Sequence, residues 1–198
     1  MDNERTRVYL ARHGEVVNHG MYNGQNDVDI TATGVKQMER LRDLLQNKTL
    51  AAVYSSDLLR TQKGAEIIAQ THGLTLQLLP DFREMHFGRW QGLSYAEVLQ
   101  TFPADIAQWF GNLETFRIPG GESLQDIYDR AIPKLKELIA RHCGQEFLLV
   151  CHGALNRVIL ADALRLPFSY ILRIEQDYGC LNIIDYSPTW TVVKLING

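Results

Sequence analysis

Three short, unbroken apolar runs, at residues 8–11, 51–54 and 147–151, constrain this chain more than any other feature. Each is too short for a helix that must bury one face, and each has the make-up of a strand covered on both sides. A further strand is read at 74–79, closed by Pro80. Segments with helical character follow these runs. Val35, Met38, Leu41 and Leu45 recur at intervals of three and four, with Thr33 as the expected N-cap, and helices are expected at about 57–70 and 153–164. Strands alternating with helices predict an α/β fold, a three-layer αβα sandwich around a mostly parallel sheet.

The stretch 85–121 carries Phe87, Trp90, Tyr95, Phe102, Trp109, Phe110 and Phe116, and is expected to form a small cap of short helices and loops over the sheet. Ser123 with Asp126 resembles a capping box and opens a helix to about residue 141, which Pro133 should kink. Residues 181–186 and 191–195 read as a terminal hairpin. No linker or repeat divides the sequence, so residues 1–198 are read as one domain.

In open α/β folds ligands sit at the carboxyl ends of the strands. Here those ends carry Arg12-His13-Gly14-Glu15, Ser55-Ser56 and His152-Gly153. A histidine between an arginine and a glycine can present one ring nitrogen to a ligand while a main-chain carbonyl fixes the other. The adjacent guanidinium disfavours the imidazolium and keeps the ring nucleophilic. His152 stands just before a helix whose N-terminal N–H groups and dipole suit a phosphate, to which the imidazole would add a charge-assisted hydrogen bond. Arg60 lies in the first turn of a helix, where a cation opposes the dipole unless an anion is near. Glu84, among Phe82, Phe87 and Trp90, could have its pKa raised by burial and act as a general acid. Singly, each has an ordinary structural reading: a turn histidine, a helix-cap histidine, an arginine paired with Asp57 or Glu66, a surface Arg83–Glu84 pair.

The formal charge of −3 offers no long-range pull on an anion, so individual cations must hold one locally. It also gives no reason to expect nucleic acid as a partner. No apolar run is long enough to cross a bilayer, and the polar N-terminus lacks the apolar core of a signal peptide. Cys143, Cys151 and Cys180 have no paired metal spacing. A cytoplasmic protein with reduced thiols and no membrane partner is the expectation; oligomeric state is not legible.

Taken in order, the motifs resemble the phosphoglycerate mutase-like histidine phosphatase superfamily along nearly the whole chain. They are Arg12-His13-Gly14-Glu15, Thr31-Ala32-Thr33-Gly34, Ser56 to Arg60, Glu84 with the Phe-Gly-x-Trp-x-Gly run to Gly92, Gly120 to Ser123, and His152-Gly153. The resemblance implies attack by His13 on a phosphomonoester, protonation of the leaving alcohol by Glu84, and hydrolysis of the phosphohistidine by water. It implies that Arg12, Arg60 and His152 hold the phosphoryl oxygens, and that neither metal nor cofactor takes part. The family places an asparagine six residues after the nucleophile, where His19 stands. Asn18, one residue earlier, is carried over as a phosphate contact, with Asn23, Gly24, Gln25 and Gly153 as further substrate contacts.

The likeness is closest to the α-ribazole phosphatase and broad-specificity branches, which makes α-ribazole 5′-phosphate the first small metabolite to test. Mutase-type transfer between phosphoglycerates is the alternative; cofactor-dependent mutases carry an extra segment over the site, and this chain is short. A phosphate-binding relative without catalysis would be expected to have lost the nucleophile or an arginine. A remote alternative is a cysteine-dependent phosphatase using Cys151 and Arg157, which stand at the Cys-x5-Arg spacing.

Overall fold

A computed structural model describes residues 4–198. Six strands form one sheet: β1 (Thr6–Arg12), β2 (Ala52–Ser55), β3 (Leu76–Leu78), β4 (Glu146–Cys151), β5 (Leu181–Tyr186) and β6 (Thr191–Leu195). Their order is β3-β2-β4-β1-β5-β6. The first four are mutually parallel, whereas β5 and β6 add an antiparallel hairpin at the β1 side. The mostly parallel sheet and the terminal hairpin are thus as the sequence implied.

The unbroken apolar runs have the expected cause. In β1, Val8 and Leu10 enter one core while Tyr9 and Ala11 enter the other; in β4, Phe147, Leu149 and Cys151 alternate with Leu148 and Val150 in the same way. Helices α1 (Ala32–Leu45) and α2 (Leu59–Thr71) contribute Met38, Leu41, Leu45, Ala65 and Ile68 to one face. Helices α3 (Tyr95–Thr101), α4 (Pro103–Gly111), α5 (Leu124–Arg141) and α6 (Gly153–Leu164) contribute to the other. Trp90 and Trp109 are buried there, edge to face at 5.8 Å, so much of the aromatic stretch is core.

One local expectation needs correction, and one element is continuous where the sequence placed a proline. Thr31, not Thr33, caps α1, because its Oγ1 accepts from the Gly34 amide while donating to Glu15 at 2.8 Å. Helix α5 runs through Pro133 as one element. Pro133 and Asp129 are both exposed, so the carbonyl that loses its N–H partner lies on the solvent side of the helix. The capping box at Ser123 and Asp126 is present.

Candidate active site

The carboxyl ends of β1, β2 and β4 lie side by side in the sheet order, and their first loop residues converge. His13 follows β1 directly. Its main chain is pinned from two sides: its N–H donates to Cys151 O and its carbonyl accepts from Gly179 N, each at 3.0 Å. Gly14 is required by a close approach, since a side chain there would meet Gly34 O at 2.2 Å at the start of α1. The His13 ring is buried, and its Nδ1 lies 2.8 Å from Gly14 O. A carbonyl can only accept, so Nδ1 carries the proton and Nε2 keeps its lone pair. Burial first, then Arg60 and Arg12, hold the ring's pKa well below its ordinary value. A neutral imidazole with a free nitrogen is a nucleophile.

His152 is fully buried, its ring centroid 5.2 Å from that of His13. Arg60 Nε donates to its Nδ1 at 3.3 Å, which leaves the proton on Nε2, 2.8 Å from Ser56 Oγ. Burial, Arg60, His13 and Arg12 all press its pKa well below the ordinary value. The ring is therefore neutral here. Ser56, at the end of β2, holds it in that tautomer.

Arg60 is 1% exposed and pairs with neither Asp57 nor Glu66. Its Nη2 donates to Gly24 O at 2.6 Å and its Nη1 to Asn26 O at 2.9 Å. Gly24 has φ +53°, the left-handed region, and this turn aims its carbonyl at the guanidinium. Asp57 is taken instead by Arg83, whose Nε donates to it at 2.7 Å. Arg12 donates from Nη1 to Gln176 O at 2.5 Å and lies 3.8 Å from the Tyr178 ring centroid, while its buried Nε has no partner. Each of these two guanidiniums is fixed by neutral groups and makes no ion pair, although Glu84 and Asp27 act on Arg60 through space.

Glu84 is where the sequence reading needs the largest revision. The first-turn amides of α6, expected to meet a phosphate, go to this carboxylate instead: Ala154 N donates to Oε2 at 3.1 Å and Leu155 N to Oε1 at 3.3 Å. Met85 N adds a third bond to Oε1 at 2.9 Å. Its surroundings are thus three amide donors as well as rings. Oε2 has the single donor and so the freer face. Arg130 of α5 secures the segment, donating to Asp81 O at 2.7 Å and Glu84 O at 3.1 Å while paired with Glu122.

The remaining expected contacts divide. Gln25 touches the site through Nε2, which donates to Glu84 O at 3.2 Å. Gly153 lies against Arg12, whose Nε would stand 3.4 Å from a side chain there. Asn23 is buried and donates from Nδ2 to Asn18 O at 2.9 Å, which shapes the loop that presents Gly24. Asn18 itself is exposed and joins this bonding through its main-chain oxygen, and His19 is exposed too. Cys151 faces the core, and burial followed by Glu84 raises its thiol pKa well above the ordinary value. Arg157 donates to main-chain oxygens on another side, so the Cys-x5-Arg reading loses its nucleophile.

Sequence reasoning missed Ser56 as the partner of His152, and Tyr178, whose ring centroid lies 5.6 Å from that of His13. A cavity of about 220 Å³ adjoins the cluster, lined by Arg12, Glu84 and Arg157 together with Tyr22, Phe87 and Trp109.

Comparison with known proteins agrees with this geometry. Residues 8–198 match the family described as the histidine phosphatase superfamily (branch 1). The chain is 33% identical over 164 residues to an Arabidopsis thaliana protein named metal-independent phosphoserine phosphatase, covering 80% of this chain and 69% of that one. It is 32% identical over 194 residues to a Yersinia pestis protein named "Probable phosphoglycerate mutase GpmB", covering 92% and 86%. Among solved structures, the α-ribazole phosphatase from Shigella flexneri superposes with a TM-score of 0.86 at 27% identity, covering 97% of this chain and 96% of that one. No helix among the described residues is long and apolar enough to cross a membrane.

Proposed function

This chain belongs to the histidine phosphatase superfamily, and from that premise we propose that His13 is the nucleophile of a phosphomonoester hydrolase acting on a small phosphorylated metabolite. The observation that supports this most directly is a neutral His13 ring, Nδ1 held by Gly14 O and Nε2 free, beside two guanidiniums that make no ion pair.

In the first step the Nε2 lone pair of His13 forms an N–P bond as the P–O bond to the leaving alcohol breaks. Glu84 gives its proton from Oε2 to that alcohol oxygen. In the second step water attacks phosphorus, the N–P bond breaks, and Glu84 takes the water's proton. Arg12 and Arg60 face the equatorial oxygens, where charge spreads in the transition state. His152 joins them when a bound dianion draws Arg60 Nε away from Nδ1 and favours a proton there in place of that bond. Asn23 and Gly24 act through Arg60, which their loop positions, while Gln25 and Gly153 border the phosphoryl position.

The test is to quench a turnover mixture rapidly and look for a phosphorylated protein that survives alkali and is lost in acid. His13→Ala should abolish that species and lower kcat roughly 10⁴-fold or more. Activity retained by His13→Ala but lost in Cys151→Ser would replace the nucleophile. Substrates in the screen should include α-ribazole 5′-phosphate, phosphoserine, nucleotides and phosphoglycerates. The similarity to a relative named as a mutase makes one further outcome informative. Interconversion of 2- and 3-phosphoglycerate without release of phosphate would identify a mutase instead.

A further inference from the structure

Arg157 lies one turn into α6, beside the phosphoryl cluster but outside it. Its Nε donates to Ile174 O at 2.7 Å and its Nη1 to Gly153 O at 3.2 Å. Both partners are neutral main-chain oxygens, and Nη2 makes no hydrogen bond to any described residue. The guanidinium is therefore fixed in place and makes no ion pair, although Glu84 and Glu175 act on it through space. Arg12 and Arg157 flank Gly153 so closely that a side chain there would lie 3.4 Å from Arg12 Nε and from Arg157 Nη1. Burial, and then Arg12, lower the Arg157 pKa, as expected when two cations share a desolvated site.

Counting charge shows what is missing. Arg12, Arg60 and Arg157 surround one buried carboxylate, Glu84, and two neutral imidazoles, while the exposed Asp27 and Glu175 act on Arg60 and Arg157 without forming ion pairs. Once Glu84 carries the proton it is to deliver, and a phosphoryl dianion has met Arg12 and Arg60, Arg157 keeps only the exposed Glu175 acting on it, with no ion pair between them. Arg157 lines the cavity beside Arg12, with Tyr22, Phe87, Trp109 and Ile171, whereas Arg60 does not reach it. A dry cavity of about 150 Å³ is enough for a benzene ring. The 220 Å³ here has room for one ring or a short branched chain with a substituent.

We propose that Arg157 binds a second anionic group, a carboxylate in the simplest case, on the leaving alcohol. Preferred substrates are then phosphomonoesters of small alcohols that combine an apolar body with an acid group. This substrate class rests on the hydrolase reading above, which supplies the phosphoryl end. Arg157 is the specificity-determining residue at the other end.

Phenyl phosphate and its 3- and 4-carboxyphenyl counterparts share the phosphoryl group and the ring and differ by one carboxylate. Their binding to a His13→Ala protein, measured by calorimetry, isolates recognition from chemistry. The better of the two acid esters should bind at least tenfold more tightly than phenyl phosphate, a difference of about 1.4 kcal/mol. Adding Arg157→Gln should bring that ratio to within twofold, and Arg157→Lys, which keeps the charge, should restore part of it. Equal affinities in the His13→Ala protein, or a preference that survives Arg157→Gln, would overturn the assignment. Turnover by the wild-type protein is scored separately. Hydrolysis of all the esters without any acid preference removes the Arg157 site alone. An Arg157-dependent preference without turnover removes the hydrolase reading alone.

Discussion

Arg7 and Arg12 stand near the two ends of one strand, β1, and the protein treats them in opposite ways. Arg7 grips Asp185 with two bonds, Nε to Oδ1 at 2.7 Å and Nη2 to Oδ2 at 2.8 Å, and Arg5 reaches the same carboxylate at 3.1 Å. Burial raises the Asp185 pKa, but the two arginines outweigh it and hold the carboxyl below its ordinary value. Arg12 has a main-chain oxygen and an aromatic face and no carboxylate. The contrast extends through the fold. Arg83, Arg89 and Arg130 pair with Asp57, Asp105 and Glu122, whereas Arg60 and Arg157 meet carbonyls. Charge answered inside the chain holds the structure together. Charge left unanswered at the strand ends is held ready for an anion from outside, at some expense to stability.

The largest consequence falls on Arg12. Arg12→Gln should lower kcat/KM by roughly 10²–10³-fold, the usual loss when one preorganised donor to transition-state charge is removed. Its melting temperature should change little, because the guanidinium it deletes has no ionic partner. Vanadate should sharpen the difference: at a hundred times its Kd it stabilises a binding protein by about 2.7 kcal/mol. Wild type should show a shift of that kind in a thermal scan, and Arg12→Gln should lose most of it at the same concentration. Full activity in Arg12→Gln, or an undiminished vanadate shift, would make Arg12 a structural arginine like Arg7.

What the sequence disclosed was local. The apolar runs at 8–11 and 147–151 announce strands buried on both faces, and Arg12-His13-Gly14 and His152-Gly153 mark where those strands end. Element positions and the meeting of His13, His152 and Arg60 follow from those signals and from the parallel order. Partnerships between distant segments left no such trace. Glu84 reaches the α6 amides from 70 residues away, and nothing in its own neighbourhood says that a helix N-terminus awaits it. Tyr178 and Gln176 sit in an irregular segment with no periodicity to read. Choosing Thr31 over Thr33 as the cap depended on Glu15, a contact 16 residues apart. Arg157 drew notice only through its spacing from Cys151, yet the two side chains serve different surroundings.

At the paired end of β1 the effect should appear in stability alone. Arg7→Ala leaves Asp185, 4% exposed, with Arg5 as its remaining partner. Breaking a fully buried pair costs about 3–5 kcal/mol. Arg7 is partly solvated and Arg5 can compensate, so a loss of about 1–3 kcal/mol in urea unfolding is expected, with kcat/KM within twofold of wild type. A variant that kept its stability but lost activity would erase the division between the two ends.

The smallest effect tests whether the unanswered cations act on the imidazoles between them. His13 faces Arg12, Arg60, His152 and Tyr178, and burial together with the two arginines depresses its pKa far below 6.5. In the unfolded chain the ring regains that ordinary value. The unfolded state therefore binds more protons as pH falls toward and below 6.5, and stability must rise with pH through that window and level off above it. Each such histidine should contribute roughly 0.7 kcal/mol of lost stability between pH 7 and pH 6, and His152, depressed by the same causes, doubles the effect. His13→Asn removes one of these contributions, so its unfolding free energy should fall less steeply over that unit while those of His152 and of His72, lowered by burial, persist. Asp185 does not confuse the reading, because its carboxyl lies below 3.8 in the folded protein. Parallel curves for wild type and His13→Asn between pH 7 and 6 would mean that the ring titrates normally where it stands. Neither burial nor the cations at the strand ends would then depress the proposed nucleophile.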